Sequence, residues 1–345
     1  MLRLPPFTYH QPKTAAEAVR IAAANGRNSM YVAGGTDLYP NMKRRQQVPA
    51  HVISLQHLKE LHAIEVRPDG GLTIGAMVTL TAIENHPLVK LHYPALAHAV
   101  SEISTPLLRN MGTFGGNLLL DTRCTYYDQT FEWRKAINFC MKKDGEICWV
   151  ATSSDRCLAV SSTDTAPALI ALGATVRLVS TAGEREVALT DLYANDGMHY
   201  LTRRREEILT SVHLPSLDGW RSTYWKLRRR GSFDFPVAAV AAAARFDGDR
   251  VVEGRLVLGA LASRPLEVPG AVARMAGERL TDEVIAAIAD EAYPLAKPMD
   301  NTDFELVWRK KVVRSLVTSA LRELRGDDMR EARTKLARHP LTVVS

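Results

Sequence analysis

Val32-Ala33-Gly34-Gly35-Thr36-Asp37-Leu38 is the stretch on which the reading of this 345-residue chain turns. The run Met30 to Ala33 has the composition of a short strand, and a glycine pair followed by polar residues stops it. Without Cβ atoms, Gly34 and Gly35 let backbone N–H groups approach an anion closely. Thr36 and Asp37 can then fix the turn or bind polar ligand groups. A structural turn explains such a pair as well as a phosphate site does. Upstream, Thr14 with Glu17 three residues later opens a helix that runs to Ala24 and stops at Asn25-Gly26. Downstream, Val52 to Leu55 reads as another strand, so the chain begins as a small βαβ-like unit.

A second glycine pair, in Thr113-Phe114-Gly115-Gly116-Asn117, has a hydroxyl before it and an amide after it. It ends a second unit with a strand at Leu72 to Gly75, a helix capped by Thr81 and a helical stretch from Ala95 to Ile103. Two such loops can converge on one diphosphate and together argue for a dinucleotide. No G-x-G-x-x-G follows the first strand, which disfavours a Rossmann fold. Further on, Ala166 to Leu172 reads as helix, and Ala174 to Val179 and Ile208 to Leu214 as strands. From Arg221 the pattern changes to a meander of three strands, Thr223 to Arg228, Val237 to Phe246 and Val251 to Ala260, turning at Asp247-Gly248-Asp249. Amphipathic helices at Thr281 to Ala292 and Asp303 to Leu324 follow, and the charged last twenty residues read as a loose tail.

The apolar fraction of 46% and charged fraction of 24% are those of a globular protein, and the formal charge of +6 is scattered in short groups such as Arg228 to Arg230. No basic stripe with interleaved aromatics points to nucleic acid. The start MLRLPPFTYHQPKT lacks an apolar segment of signal length, and no charge-free apolar run is long enough to span a bilayer, so a cytoplasmic, non-spanning protein is expected. In a reducing compartment the four cysteines are expected to be inert thiols, redox groups or metal ligands, not disulfides.

All four, Cys124, Cys140, Cys148 and Cys157, lie between residues 121 and 161 as C-x15-C-x7-C-x8-C. Four thiolates complete an all-sulfur zinc site or a four-iron cluster, and coordination chemistry alone does not choose between them. Zinc sites usually use close C-x2-C pairs, absent here, and zinc accepts no electrons. Trp133, Phe139 and Trp149 are expected to pack this segment. Tyr126, Tyr127 and His199 carry no assigned role.

The stretches AGGTDLYPNMK (33 to 43), RNMGTFGGN (109 to 117), SSTDTAPALIALGA (161 to 174), EEILTSVHLP (206 to 215) and YWKLRRRGSFDFPVAAVA (224 to 241) resemble, in order and over nearly the whole chain, the FAD-binding medium subunits of the molybdenum hydroxylases. That resemblance implies an α+β protein with a two-subdomain FAD-binding fold and a C-terminal three-stranded antiparallel sheet with helices. It divides the chain into a small α/β subdomain (1–56), a second FAD subdomain (57–215) interrupted by a 121–161 insertion, a C-terminal domain (216–325) and a tail (326–345). It assigns Ala33, Gly34, Gly35, Thr36, Asp37, Leu38, Thr113, Gly115, Gly116 and Asn117 to FAD, Asp164 to polar cofactor atoms, and places Leu209 and Lys226 nearby.

Many members of the family run from the second glycine loop almost directly into the aspartate segment, so the insertion is a departure. It resembles the one in the β subunits of 4-hydroxybenzoyl-CoA reductases, which implies a [4Fe-4S] cluster on the four cysteines. By that resemblance ferredoxin loads the cluster, and electrons pass through FAD to [2Fe-2S] centres and a molybdopterin in partner subunits. Those partners are a large molybdenum subunit and a small [2Fe-2S] subunit, arranged as a dimer of heterotrimers; no catalytic residue is expected in this chain. The alternatives are a hydroxylase subunit that sends electrons outward to an acceptor, or a zinc-stabilised flavin-binding assembly subunit.

Overall fold

A computed structural model describes residues 2–337 of the chain, and among them two compact units are recognised. Neither is a continuous stretch. The first takes residues up to Ala82, then Pro106–Ala159 and Gly173–Ser216; the second takes Ile83–Thr105, Val160–Leu172 and the chain from Leu217 onward. Compactness therefore does not follow chain order.

In the first unit, strands β1 (Thr8–His10), β2 (Ser29–Val32) and β3 (His51–Ser54) form a parallel sheet in the order β1-β3-β2. Parallel strands need a crossover, and the helix Ala15–Asn25 supplies it between β1 and β2. Thr14 Oγ1 accepts the Glu17 N–H at 3.2 Å, and the Glu17 carboxylate accepts from the Lys13 N–H at 2.8 Å. Ala18, Val19 and Ala22 of this helix bury against Ile53, Leu58 and Leu61. The β2 strand ends at Val32, its carbonyl held by the Leu55 N–H at 2.9 Å. The chain then passes Gly34-Gly35 and enters the helix Leu38–Lys43.

The unit's other sheet contains β4 (Ile64–Val66), β5 (Leu72–Gly75), β6 (Thr175–Ser180), β7 (Gly183–Ala188) and β8 (Ile208–Leu214) in the antiparallel order β4-β5-β8-β6-β7. Beyond β5, the helix Leu80–Asn85 is capped by Thr79, whose hydroxyl accepts the Ala82 N–H at 3.2 Å. Thr81, the expected cap, instead donates to Asn110 Oδ1 at 2.7 Å. Either hydroxyl precedes the apolar run, and only the path of the chain chooses between them.

The second unit is built on a meander of β9 (Trp220–Leu227), β10 (Ala238–Asp247), β11 (Arg250–Gly259) and the two-residue β12 (Leu266–Glu267), one short strand more than the three expected. Ala238 to Ala244 of β10 are buried on both faces, which small side chains allow when helices cover each side of a sheet. Helices Pro269–Met275, Asp282–Ala292 and Leu306–Arg325 build one core with β10 and β11, whereas Thr165–Ala171 packs against β10 and β11, and Pro94–Ser101 against β9. The expected loose tail is ordered in part: Arg330–Ala337 is helical, and Arg333 pairs with Glu323 at 2.6 Å. The rest of the tail, 338–345, lies outside the described residues. Among those described, no helix is long and apolar enough to cross a membrane.

Candidate functional site

The two glycine loops meet within the first unit. A Cβ on Gly34 would stand 1.9 Å from the Met111 carbonyl oxygen, so only glycine lets the end of β2 touch the turn that leads into the second loop. Gly35 holds φ +73°, a left-handed conformation in which other residues are strained. Beyond this shared packing the loops differ in what they offer. Among the described residues, the backbone N–H groups of Gly34, Gly35 and Thr36 meet no protein acceptor. Three successive free donors on a glycine turn form the kind of concavity that takes a phosphate.

The second loop spends its donors internally. Phe114 N–H donates to Val78 O at 2.9 Å, Gly115 N–H to Ala76 O at 2.8 Å, and Asn117 N–H to Thr113 O at 2.9 Å. Gly116 N–H donates to Thr113 Oγ1 at 3.3 Å, the N-cap of the short helix Phe114–Leu118. Both loops were expected to supply N–H groups to a diphosphate; those of Phe114 to Asn117 already have protein acceptors, in Thr113 and in the segment leaving β5.

Asp37 is half-buried and forms an ion pair with Arg123, while Asn41 Nδ2 donates to its other oxygen at 2.9 Å. Burial pushes the Asp37 carboxyl up, and Arg123 opposes that. Burial also works against the Arg123 charge, but Asp37, Asp128 and Asp121 outweigh it and hold the guanidinium protonated. Sequence reasoning missed Arg123. Its place beside Cys124 was visible, but a partner 86 residues away along the chain was not.

The four cysteines are free, buried thiols that line one cavity, together with Tyr126, Tyr127, Lys142 and Trp149. Local turns bring them there. The Tyr127 and Asp128 N–H groups fold back on the Cys124 carbonyl at 2.9 and 2.8 Å, and the Met141 N–H reaches Ile147 O at 2.8 Å, so that Cys140 and Cys148 flank one tight loop. The Gly197 N–H fixes the Cys157 carbonyl at 2.8 Å. Trp149 Nε1 donates to the Phe139 carbonyl, and the Phe131 and Phe139 rings lie 5.7 Å apart, so Phe139 and Trp149 pack as expected, whereas Trp133 is exposed, its ring 6.5 Å from that of Tyr126.

Burial pushes the Cys124 thiol up to about 12 and the Cys157 thiol to about 11, and the neighbouring thiols add to both. Such thiols stay protonated until a cation displaces the protons. Lys142 supplies positive charge at the wall. Its ammonium is buried, donates to Asp121 Oδ1 at 2.8 Å, Thr122 Oγ1 at 2.7 Å and Gly197 O at 2.7 Å, and lies 4.9 Å from the centre of the Tyr127 ring.

Zinc and a cluster make different geometric demands. Around one zinc ion the sulfurs stand about 2.3 Å from the metal and so within about 3.8 Å of each other. Four-iron clusters bind each thiolate to a different iron, which spreads the sulfurs around a larger cavity. Among the described residues, no three His, Cys, Asp or Glu side chains are arranged to hold a single ion, although four thiols face one cavity. Four buried thiols on one cavity are a donor set that soft metal centres use.

In the second unit, Asp164 is the N-cap residue of the helix Thr165–Ala171, and its oxygens accept from Tyr224 Oη at 2.7 Å and Lys226 Nζ at 3.0 Å. Lys226 also donates to the Glu102 carbonyl at 2.9 Å. Burial pushes the Asp164 carboxyl up and the Lys226 ammonium down, each opposed by the partner's charge. Thus the structure joins two residues that the sequence singled out separately. Leu209 belongs to the first unit, in β8 opposite Leu178, and is 2% exposed.

Residues 5–217 match the family described as the FAD binding domain in molybdopterin dehydrogenase, and residues 222–324 match the CO dehydrogenase flavoprotein C-terminal domain. The aldehyde oxidoreductase FAD-binding subunit PaoB of Escherichia coli K12 is 32% identical over 323 residues, 91% of this chain and 98% of that protein. The carbon monoxide dehydrogenase medium chain of Hydrogenophaga pseudoflava is 28% identical over 322 residues, 92% and 96% of the two chains. A solved structure of carbon monoxide dehydrogenase from that organism, lacking the Mo-pyranopterin moiety of its cofactor, superposes with a TM-score of 0.77 at 25% identity, over 93% of this chain and 98% of that one.

Proposed function

This chain belongs to the molybdopterin dehydrogenase FAD-binding family, and on that premise we propose that it is an electron-transfer subunit carrying FAD and a [4Fe-4S] cluster within a molybdenum enzyme. The convergence of four buried thiols on one cavity carries the proposal of a cluster. Flavin exchanges electrons singly or in pairs and an iron-sulfur cluster exchanges them one at a time, so the two groups together suit a relay between unlike partners.

The protein's own residues prepare each site. Gly34, Gly35 and Thr36 present N–H groups to the FAD diphosphate, with Ala33, Asp37 and Leu38 completing that loop. Thr113, Gly115, Gly116 and Asn117 shape the surface against it. Family pattern assigns Asp164, Leu209 and Lys226 to the same cofactor. Cys124, Cys140, Cys148 and Cys157 are the cluster ligands, Lys142 offsets their negative charge, and Tyr127 and Trp149 keep water from the thiolates. Partner subunits would hold the molybdenum cofactor and [2Fe-2S] centres in a dimer of heterotrimers, and free thiols suit a cytoplasmic address.

Electron flow outward from an oxidised substrate is the reading favoured by the relatives, with aldehydes the first substrates to test. The reverse direction, from ferredoxin towards reductive dehydroxylation of 4-hydroxybenzoyl-CoA, is favoured by the resemblance of the insertion. Iron and acid-labile sulfide are measured first on the purified assembly: about four of each per chain is expected, and stoichiometric zinc without iron would overturn the cluster. Bleaching of the flavin by aldehydes without added reductant supports outward flow. Turnover of the thioester with a low-potential donor, and no response to aldehydes, supports the reverse.

A further inference from the structure

We propose that occupancy of the four-thiol cavity and FAD binding are coupled, and that Arg123 is the positioning residue that carries the coupling. The inference rests on the cluster reading. It starts from how little holds the insertion together. Its buried apolar side chains are Cys124, Tyr127, Cys140, Cys148, Cys157, Ala159 and Val160, so four of the seven are thiols, with Tyr126, Met141, Trp149 and Val150 packed partly buried against them. The only helix within it is the six-residue Phe131–Ala136. A segment with so small an apolar core gains much of its order from what the thiols bind, because metal binding and folding are linked.

The folded insertion is also the brace of the FAD loop. Arg123 pairs with Asp37 inside the first glycine loop and reaches Asn41 at 3.5 Å, one turn into the helix that the loop starts. At the far end of that helix, fully buried Arg134 donates to the Arg44 carbonyl at 2.8 Å. Gln46, just beyond, donates to the Tyr127 carbonyl at 2.6 Å. One segment of chain thus grips the helix Leu38–Lys43 at both ends. Arg123 precedes the ligand Cys124, so whatever fixes that thiolate also fixes the guanidinium. If the insertion loosens, Asp37 is left a half-buried carboxylate beside the N–H groups of Gly34 to Thr36, where its charge repels the diphosphate they would bind.

Thermodynamic linkage makes the effect reciprocal: FAD must stabilise the occupied insertion by the factor by which occupancy strengthens FAD binding. FAD dissociation constants are measured by flavin fluorescence on the purified assembly, wild type and Cys148→Ser, with iron and sulfide counted on each sample. FAD is expected to bind about tenfold or more weakly to the cluster-free variant, within the usual range of coupling. Arg123→Met should keep its iron, bind FAD as weakly as Cys148→Ser does, and respond less than about twofold to a further Cys148→Ser change. Arg123→Lys, which restores the charge without the fork, should recover part of the affinity. Iron present in the wild type, with FAD affinity indifferent to Cys148→Ser or Arg123→Met, overturns the coupling alone. Absence of iron from the wild type overturns the cluster reading, and the coupling with it. Circular dichroism identifies a misfolded Cys148→Ser, and wild type and Arg123→Met stripped of iron by a chelator then make the same comparison of occupied and empty cavity.

Discussion

Gly34→Ala tests the convergence of the glycine loops most directly. The added methyl would lie 1.9 Å from the Met111 oxygen, 2.7 Å from its carbonyl carbon and 3.2 Å from Gly112 Cα. An unstrained carbon–oxygen contact is about 3.4 Å, so two backbone segments must part by about 1.5 Å. Both neighbours are main chain, with no side chain free to swing aside, and the strain is about 1–3 kcal/mol or more. A shift of that size takes at least one N–H of Gly34 to Thr36 out of hydrogen-bonding range of the diphosphate. One bond to a charged acceptor contributes about 1.5–3 kcal/mol, so FAD should bind about 10- to 150-fold more weakly. The assay is a fluorescence titration with FAD, alongside flavin retention through gel filtration. Gly112→Ala is the comparison: its methyl would sit 3.2 Å from Leu80 Cδ1 and 3.3 Å from the Leu108 oxygen, a tight fit that small movements relieve, and a change of only a few-fold is expected. FAD affinity within about threefold of wild type in Gly34→Ala would refute the claim that this loop holds the diphosphate.

Other outcomes follow from buried polar groups in the second unit. Lys226→Met leaves the Asp164 carboxylate buried with Tyr224 as its remaining side-chain partner and should cost about 3–5 kcal/mol in urea unfolding; adding Asp164→Asn should recover part of the loss. Arg309, fully buried, donates to the carbonyls of Val237, Ala260 and Met299; the Met299 carbonyl keeps the Asn301 N–H at 2.8 Å, so Arg309→Met takes the donor from Val237 and Ala260 and should lower stability by about 2 kcal/mol or more in the same assay. His98 accepts from Arg333 through Nδ1 at 3.3 Å, and burial followed by the Arg333 charge holds its pKa below the usual histidine value. The unfolded chain therefore takes up this proton first. Stability should fall as pH drops through about 6.5 towards the lower folded value, and His98→Gln should flatten that part of a pH–stability curve.

The sequence was most legible where side-chain burial writes a period or a cap leaves a signature. Thr14 with Glu17, the β8 strand and the Asp247-Gly248-Asp249 turn stand where they were expected. β7 left no trace because Gly183–Ala188 is a polar edge strand held by backbone bonds, and burial pattern reports packing, not pairing. At the candidate site, residue types and loop positions were readable, but not partners distant in sequence. Asp37 with Arg123, Lys142 with Asp121, and Asp164 with Lys226 are facts of three dimensions. The use of the second loop's N–H groups was likewise hidden, since a glycine pair looks the same whether its backbone faces a phosphate or a neighbouring strand.

The chain passes between its two compact units five times, at Ala82, Thr105, Ala159, Leu172 and Ser216, and this affects how the protein is made. A ribosome that has just released Ser216 has delivered every piece of the first unit. It has also delivered two segments, 83–105 and 160–172, whose buried side chains, Leu96, Val100, Leu169 and Ile170 among them, have no sheet to cover. Those oily helices must wait until β9 to β11 emerge. A fragment cut at the apparent border near residue 217 would carry them permanently uncovered and is expected to aggregate, so this chain is made whole or not usefully at all.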